Sequence, residues 1–153
     1  MKKAETFWAA AVVALTLGAS GAAFSSELVS YKVVDGGIPE SLTGKAGDVA
    51  EGRKTVIARG LGNCLACHQV SVLPDEPFQG DVAPPLDGVA DRYTVAELRM
   101  LVVNPKTMFP DTVMPAFYKA DGLNRVAEKF QGKPILTAQQ VEDVVAFIGT
   151  LKE

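Results

Sequence analysis

The sequence predicts an all-α domain of about four to five short helices joined by long loops. Three observations predict it. Val141, Val144, Val145, Ile148 and Leu151 recur near the C-terminus at helical spacing, which places them on one apolar face. Thr94 with Glu97, and Thr137 with Gln140, form two capping boxes, a signature of helix N-termini. No β-rich pattern, internal repeat or low-complexity tract competes with the helical reading.

The elements follow in order. Lys2 and Lys3 precede an almost unbroken apolar run from Phe7 to Leu17, and the small residues Gly18 to Ala23 follow. That order reads as a secretory signal peptide over residues 1–23, cleaved after Ala23. The run is shorter than the roughly 20 apolar residues of a membrane span, so no stable membrane insertion is expected. An uncleaved anchor is the competing reading. Residues 24–46 read as a polar N-terminal arm, with a short extended piece around Leu28–Val34 and a turn at Asp35-Gly36-Gly37-Ile38-Pro39. The arm is a candidate partner contact, against the plainer reading of a loose linker.

Residues 47–153 read as one domain. Asp48 caps a first helix expected to run to about Arg59, with Gly60 and Gly62 closing it. Gly52 lowers its helix propensity, and a close packing contact is one reason to place glycine there. Gln79 to Gly88 reads as loop. The helix capped by Thr94 stops at Asn104-Pro105, because a proline disfavours helical geometry in the residue before it. A second loop holds Met108, Pro110, Met114 and Pro115. A short helix is expected between Asp121 and Phe130, ended by Gly132 and Pro134, and the C-terminal helix begins after Thr137.

Between the first two helices lies Cys64-Leu65-Ala66-Cys67-His68. A C-x-x-C-H run reads as covalent attachment of a c-type haem. Two thiols one turn apart each add to a vinyl group of the haem, and the next histidine lies under the iron as its axial ligand. The chain has no other cysteine or histidine. Three other readings compete. A thioredoxin-type dithiol wants a βαβ setting, and no strand precedes the motif. A structural zinc site needs four ligands, and this chain offers three. A Cys64–Cys67 disulfide leaves His68 unexplained. Covalent haem attachment is usually completed outside the cytoplasm, so the motif and the N-terminal segment agree on a periplasmic location.

The second axial position cannot be histidine. Met114 is the favoured ligand, because Pro115 pushes its backbone towards an extended conformation that can present a thioether across a haem face. Met108 is the alternative in the same loop, with gap-filling as its plainer role. Met100 falls inside a helix, where an apolar side chain is more often core. A lysine, water or an open position completes the set of alternatives. Iron held by His68 and Met114 is six-coordinate and low-spin. A thioether ligand raises its potential, so such a centre passes single electrons and leaves no position for substrate.

Composition limits the partners. The full chain carries a net charge of −3, and loss of Lys2, Lys3 and Glu5 with the leader makes it −4. Nothing basic remains to follow a nucleic-acid backbone. About 130 residues suffice for one domain, and a haem adds apolar surface to a core that is marginal at this size.

From the motif onward the chain resembles the class I cytochrome c family. Ala83-Pro84-Pro85-Leu86 is similar to that family's Gly-Pro-x-Leu segment, with Ala83 in place of the glycine. The resemblance implies that the Pro84 carbonyl accepts a hydrogen bond from the His68 imidazole, and that Gly52 and Phe147 lie where the first and last helices cross. Gly62 to His68, Gln79 to Leu86, Asn104-Pro105, Asp111 to Phe117 and Gly132 to Thr137 are together similar to the SoxX family, the small monohaem subunits of the SoxAX sulfur-oxidation cytochromes. That resemblance covers about residues 28–151. It implies one covalent haem c and a larger SoxA-type cytochrome partner. It also implies a carrier protein bearing a substrate cysteine, and a small electron-accepting cytochrome.

The implied activity is that of the electron-relay subunit of an L-cysteine S-thiosulfotransferase. Thiosulfate is joined to the carrier cysteine on the larger subunit, and this chain, with no third cysteine, takes the released electrons. Two other functions compete. One is a free-standing periplasmic class I cytochrome c carrier, which predicts a monomer with weak, charge-guided encounters. The other is a secreted domain without haem, closed by a Cys64–Cys67 disulfide. Arg92 and Tyr93 are candidates for a haem propionate, against the plainer reading of a solvent-facing Arg92.

Overall fold

Asp48 starts the first helix of the computed structural model, which describes residues 28–153. The leader expected over residues 1–23 lies outside them. The Asp48 side chain accepts the Glu51 N–H, and α1 spans Val49–Ile57. It ends two residues before the expected Arg59, because Ala58 is already extended at φ −64°, ψ 112°. Three more helices follow: α2, Val89–Arg92; α3, Val95–Val103; and α4, Ala138–Ile148. Both expected capping boxes form, at Thr94–Glu97 and at Thr137–Gln140. Single 3₁₀ turns lie at Cys64–Ala66, Pro105–Thr107 and Glu128–Phe130. Among the described residues there is no strand, and no helix is long and apolar enough to cross a membrane.

The helix expected across 121–130 is reduced to the Glu128–Phe130 turn. Gly122 at φ 61° and Arg125 at φ 56° both sit in the left-handed region, which a right-handed helix cannot include.

Helix α4 is the centre of the packing. Val141, Val144, Val145, Phe147 and Ile148 are buried and meet Val56 of α1, and Leu98, Val102 and Val103 of α3, in one core. The α1–α4 crossing depends on Gly52. A Cβ there would lie 1.9 Å from the Asp143 carbonyl oxygen and 2.8 Å from Phe147 Cβ, so any side chain would force the helices apart. Gly47 makes a similar approach, with a would-be Cβ 2.0 Å from the Glu142 carbonyl oxygen.

Residues 28–46 are tied to this core and do not behave as a loose linker. Asp35 and Gly36 both take positive φ, and a tight turn closes between Val34 and Gly37 by a reciprocal pair of 2.9 Å backbone bonds. This is the turn expected from the Asp-Gly-Gly run. Ile38 and Leu42 are buried, and Ile38 N–H donates to the Ala96 carbonyl at 2.9 Å. Upstream, Val29 N–H donates to the Tyr118 hydroxyl at 2.9 Å. Burial and the Asp121 carboxylate push the Tyr31 phenol above its ordinary range.

A buried ion pair joins the arm, α3 and α4. Arg99 is 5 % exposed and Glu142 3 % exposed. Arg99 Nε donates to Glu142 Oε1 at 2.9 Å and Nη2 to Oε2 at 3.0 Å, the two-pronged geometry that an arginine–carboxylate pair favours. Arg99 Nη1 donates to the Ile38 carbonyl at 2.6 Å, and Leu42 N–H donates to Glu142 Oε1 at 2.9 Å. Among the described residues no buried side-chain nitrogen or oxygen lacks a partner. Such a pair is tolerated because every donor and acceptor is used.

Two expectations follow. Glu142→Ala leaves the Arg99 guanidinium buried without its counter-charge and should cost about 3–5 kcal/mol, read as a lower denaturant midpoint. Glu97 is held below the ordinary carboxylate range, first by the Thr94 N–H and then by the Thr94 hydroxyl. A lowered folded value means that its contribution is complete above the unfolded value of about 4.3 and is lost as pH falls through the folded one. The stability gap between the parent and Glu97→Gln should therefore be open at neutral pH and close in acid.

Candidate haem-attachment site

The site begins where α1 ends. Leu61 N–H and Asn63 N–H both donate to the Ala58 carbonyl, at 3.0 and 3.1 Å. Asn63 takes a left-handed conformation at φ 48°, which asparagine tolerates better than most residues. The chain then turns into the 3₁₀ segment Cys64–Ala66. The Cys64 carbonyl accepts from Cys67 N–H at 3.1 Å and from His68 N–H at 2.9 Å. That bonding holds both thiols and the imidazole on one short turn. Leu65 points into the core, while Cys64, Cys67 and His68 are half-buried at its edge.

Both cysteines are free thiols. Burial pushes the Cys64 thiol up to about 12, the opposite direction from the lowered value of a reactive redox thiol.

His68 Nδ1 lies 2.7 Å from the Pro84 carbonyl oxygen. With Nδ1–H donating there, Nε2 carries the lone pair that a metal takes. Residues around Pro84 hold its carbonyl in place. Arg92 donates to the Asp87 carbonyl at 2.8 Å and to the Pro85 carbonyl at 3.2 Å. Both Arg92 bonds lie within its own loop. The Asp87 carboxylate accepts from Ser71 N–H at 3.0 Å and from the Ser71 hydroxyl at 3.1 Å. Leu86 N–H donates to the Gln69 carbonyl, and Ala83 N–H to the Cys67 carbonyl, at 2.9 and 3.0 Å. Ala83 therefore supports the loop geometry without the family's glycine.

Two features of the site were not read from the sequence. The Gln79 side chain accepts from Val70 N–H at 2.6 Å and donates to the Leu73 carbonyl at 2.8 Å, pinning the loop after His68. Gly80 N–H donates to the Leu65 carbonyl at 2.8 Å, and a Cβ on Gly80 would lie 2.2 Å from the Ala66 carbonyl oxygen. The loop can lie flat on the motif because residue 80 has no side chain. A glycine inside a loop carries no sequence signal for that contact.

The three candidate methionines separate by burial. Met100 is 1 % exposed and sealed in the core. Met108 and Met114 are half-buried and pack at the edge of the same core that Cys64 and Leu86 touch. Met108 closes the 3₁₀ turn Pro105–Thr107 with a near-helical backbone. Met114 lies outside any helix or strand, directly before Pro115, its N–H donating to Thr112 Oγ1 at 3.2 Å.

The donor set fits a covalently attached haem: two free thiols on one turn, and an imidazole whose Nδ1 is already taken. Among the described residues no group of three or more His, Cys, Asp or Glu side chains is arranged to hold a metal ion by itself.

Comparison with known proteins agrees with this geometry. The family model described as "Cytochrome c" matches residues 49–152. The chain is similar to a chain in the crystal structure of SoxXA from P. pantotrophus, at 52% sequence identity and a TM-score of 0.75, over 80% of this chain and 95% of that one. No curated protein matches the sequence. With an all-α fold, a C-x-x-C-H turn and these two likenesses, the chain belongs to the cytochrome c family, of class I architecture and SoxX type.

Proposed function

We propose that this chain is the electron-relay subunit of a two-subunit, thiosulfate-oxidising c-type cytochrome. The observation that carries this reading is the 52% identity across 95% of a chain from the SoxXA crystal structure. Its cysteine content fits the relay part. Cys64 and Cys67 are the only two cysteines, and haem attachment uses both, so no thiol remains for sulfur chemistry.

On this reading Cys64 and Cys67 would hold the haem covalently, and His68 Nε2 and Met114 Sδ would supply the protein's two donors to its iron. A haem so held supplies a one-electron couple. Pro84 fixes the His68 tautomer and strengthens the imidazole as a donor, and the Met114 thioether favours the reduced state. The reaction occurs on the larger SoxA-type subunit. Thiosulfate and a carrier-protein thiol form a new S–S bond, releasing one proton and two electrons. This chain receives the electrons one at a time and passes them to a small cytochrome. Residues 1–23 act as the cleaved signal peptide and residues 24–46 as an N-terminal arm, of which 28–46 are docked on the domain of residues 47–153, and the complex works in the periplasm.

Gentle affinity isolation of the protein from its own periplasm, with haem staining and intact mass, tests the assembly. A second haem protein at one-to-one stoichiometry is expected. A lone monohaem monomer would favour the free-standing carrier. Met114→Ala tests the ligand. It should open the iron to cyanide or imidazole and lower the potential by a sizeable part of the roughly 0.8 V that axial ligands span. Six-coordinate iron with an unchanged potential would assign the position to another residue.

A further inference from the structure

The loop that carries Met114 is well anchored at its ends and sparsely held between them. At one end Asn104 N–H donates to the Met100 carbonyl at 2.8 Å, and Pro105 is fully buried. Met108 N–H and Phe109 N–H both donate to the Pro105 carbonyl, at 3.0 and 2.8 Å. At the other end Phe117 N–H and Tyr118 N–H donate to the carbonyls of Val102 and Val103, each at 3.2 Å. Between Pro110 and Pro115 the support is thin. Neither proline has an N–H to give, and Val113 is 82 % exposed. Thr112 N–H makes a local turn bond to the Phe109 carbonyl at 3.1 Å.

Two further bonds meet at Thr112. Its carbonyl accepts from Lys106 Nζ, and its hydroxyl accepts from Met114 N–H at 3.2 Å. Lys106 follows the buried Pro105 in the 3₁₀ turn Pro105–Thr107, so its ammonium reaches across from the anchored side of the loop. It is the one side chain among the described residues that bridges that turn to the segment before Met114. An ammonium donating to a carbonyl is a charge-assisted bond, and its loss is felt as local opening well before global unfolding.

We propose that Lys106 is a positioning residue for the axial methionine: Lys106 holds Thr112, Thr112 holds the Met114 backbone, and this chain of two bonds sets how readily the Met114 sulfur leaves the iron. The proposal rests on the reading of Met114 as ligand. Among the described residues the other surface lysines have no such path to residue 114 and serve as controls.

The test is imidazole titration of the haem-loaded protein, followed by the charge-transfer band of the iron–sulfur bond, with the denaturant midpoint measured in parallel. Lys106→Met keeps the length of the side chain and removes the donor. It should raise imidazole affinity about five- to tenfold, with the band still present at rest and the denaturant midpoint unchanged. Lys106→Arg should restore the parent affinity, and Thr112→Val should weaken the ligand in the same sense as Lys106→Met. Lys152→Met removes an equal charge at the C-terminus and should leave the affinity alone. A Lys106→Met affinity within twofold of the parent would overturn the proposal, as would an equal rise in Lys152→Met. The ligand reading has its own control in Met114→Ala, where the band should vanish. A band that survives there overturns that reading, whereas a band lost there beside an unmoved Lys106→Met overturns the clamp alone.

Discussion

Helix α4 can lie on α1 only because residue 52 has no side chain. The would-be Cβ of Gly52 sits 1.9 Å from the Asp143 carbonyl, a separation that no rotamer change relieves. That contact sets how closely the two helices approach, and the chain leaving α1 runs directly into the haem-attachment turn. A thicker residue at the crossing would move the end of α1 and, with it, the Ala58 carbonyl that starts the turn. Gly47 and Gly80 repeat the device at smaller contacts. In a domain this small, close backbone approach takes the place of bulk core volume.

Around that crossing the polar residues of α4 act as anchors. Glu142 gathers Arg99 of α3 and the Leu42 N–H of the arm. Its neighbour Asp143 accepts the Asp48 N–H at 2.9 Å, just ahead of α1. Two acidic residues side by side on a mostly apolar helix thus bind three separate segments. Their burial is offset by complete pairing, and the benefit lies in orientation more than in net stability.

The two sides of the proposed haem site differ in how firmly they are held. On the histidine side, the Pro84 segment is fixed by Arg92, Ser71, Gln69 and Cys67, and the loop after His68 by Gln79 and Gly80. On the methionine side, the middle of the loop depends on Thr112 and its two partners. With His68 and Met114 as the proposed ligands, the firmly braced side would keep the geometry and the softer side would tune the potential.

The sequence by itself determined the elements whose cause is local. Capping boxes, helical periodicity, the Asp-Gly-Gly turn and the C-x-x-C-H run each depend on residues a few positions apart, so α1, α3, α4 and the attachment turn were legible. The family resemblance also located the Pro84 carbonyl opposite His68. Tertiary structure decided what depends on distant partners. The arm reads as polar linker along the chain, yet Ile38 and Leu42 are buried because Arg99 and Glu142 reach their backbone from more than 60 residues away. Arg92 braces two carbonyls of its own loop, a role its sequence neighbours do not announce. The segment 121–130 had helical composition, but left-handed residues at 122 and 125 interrupt it. Local preference is written in neighbouring residues, whereas a buried charge or a side-chain-free contact is defined only once the chain has brought its far partner into place.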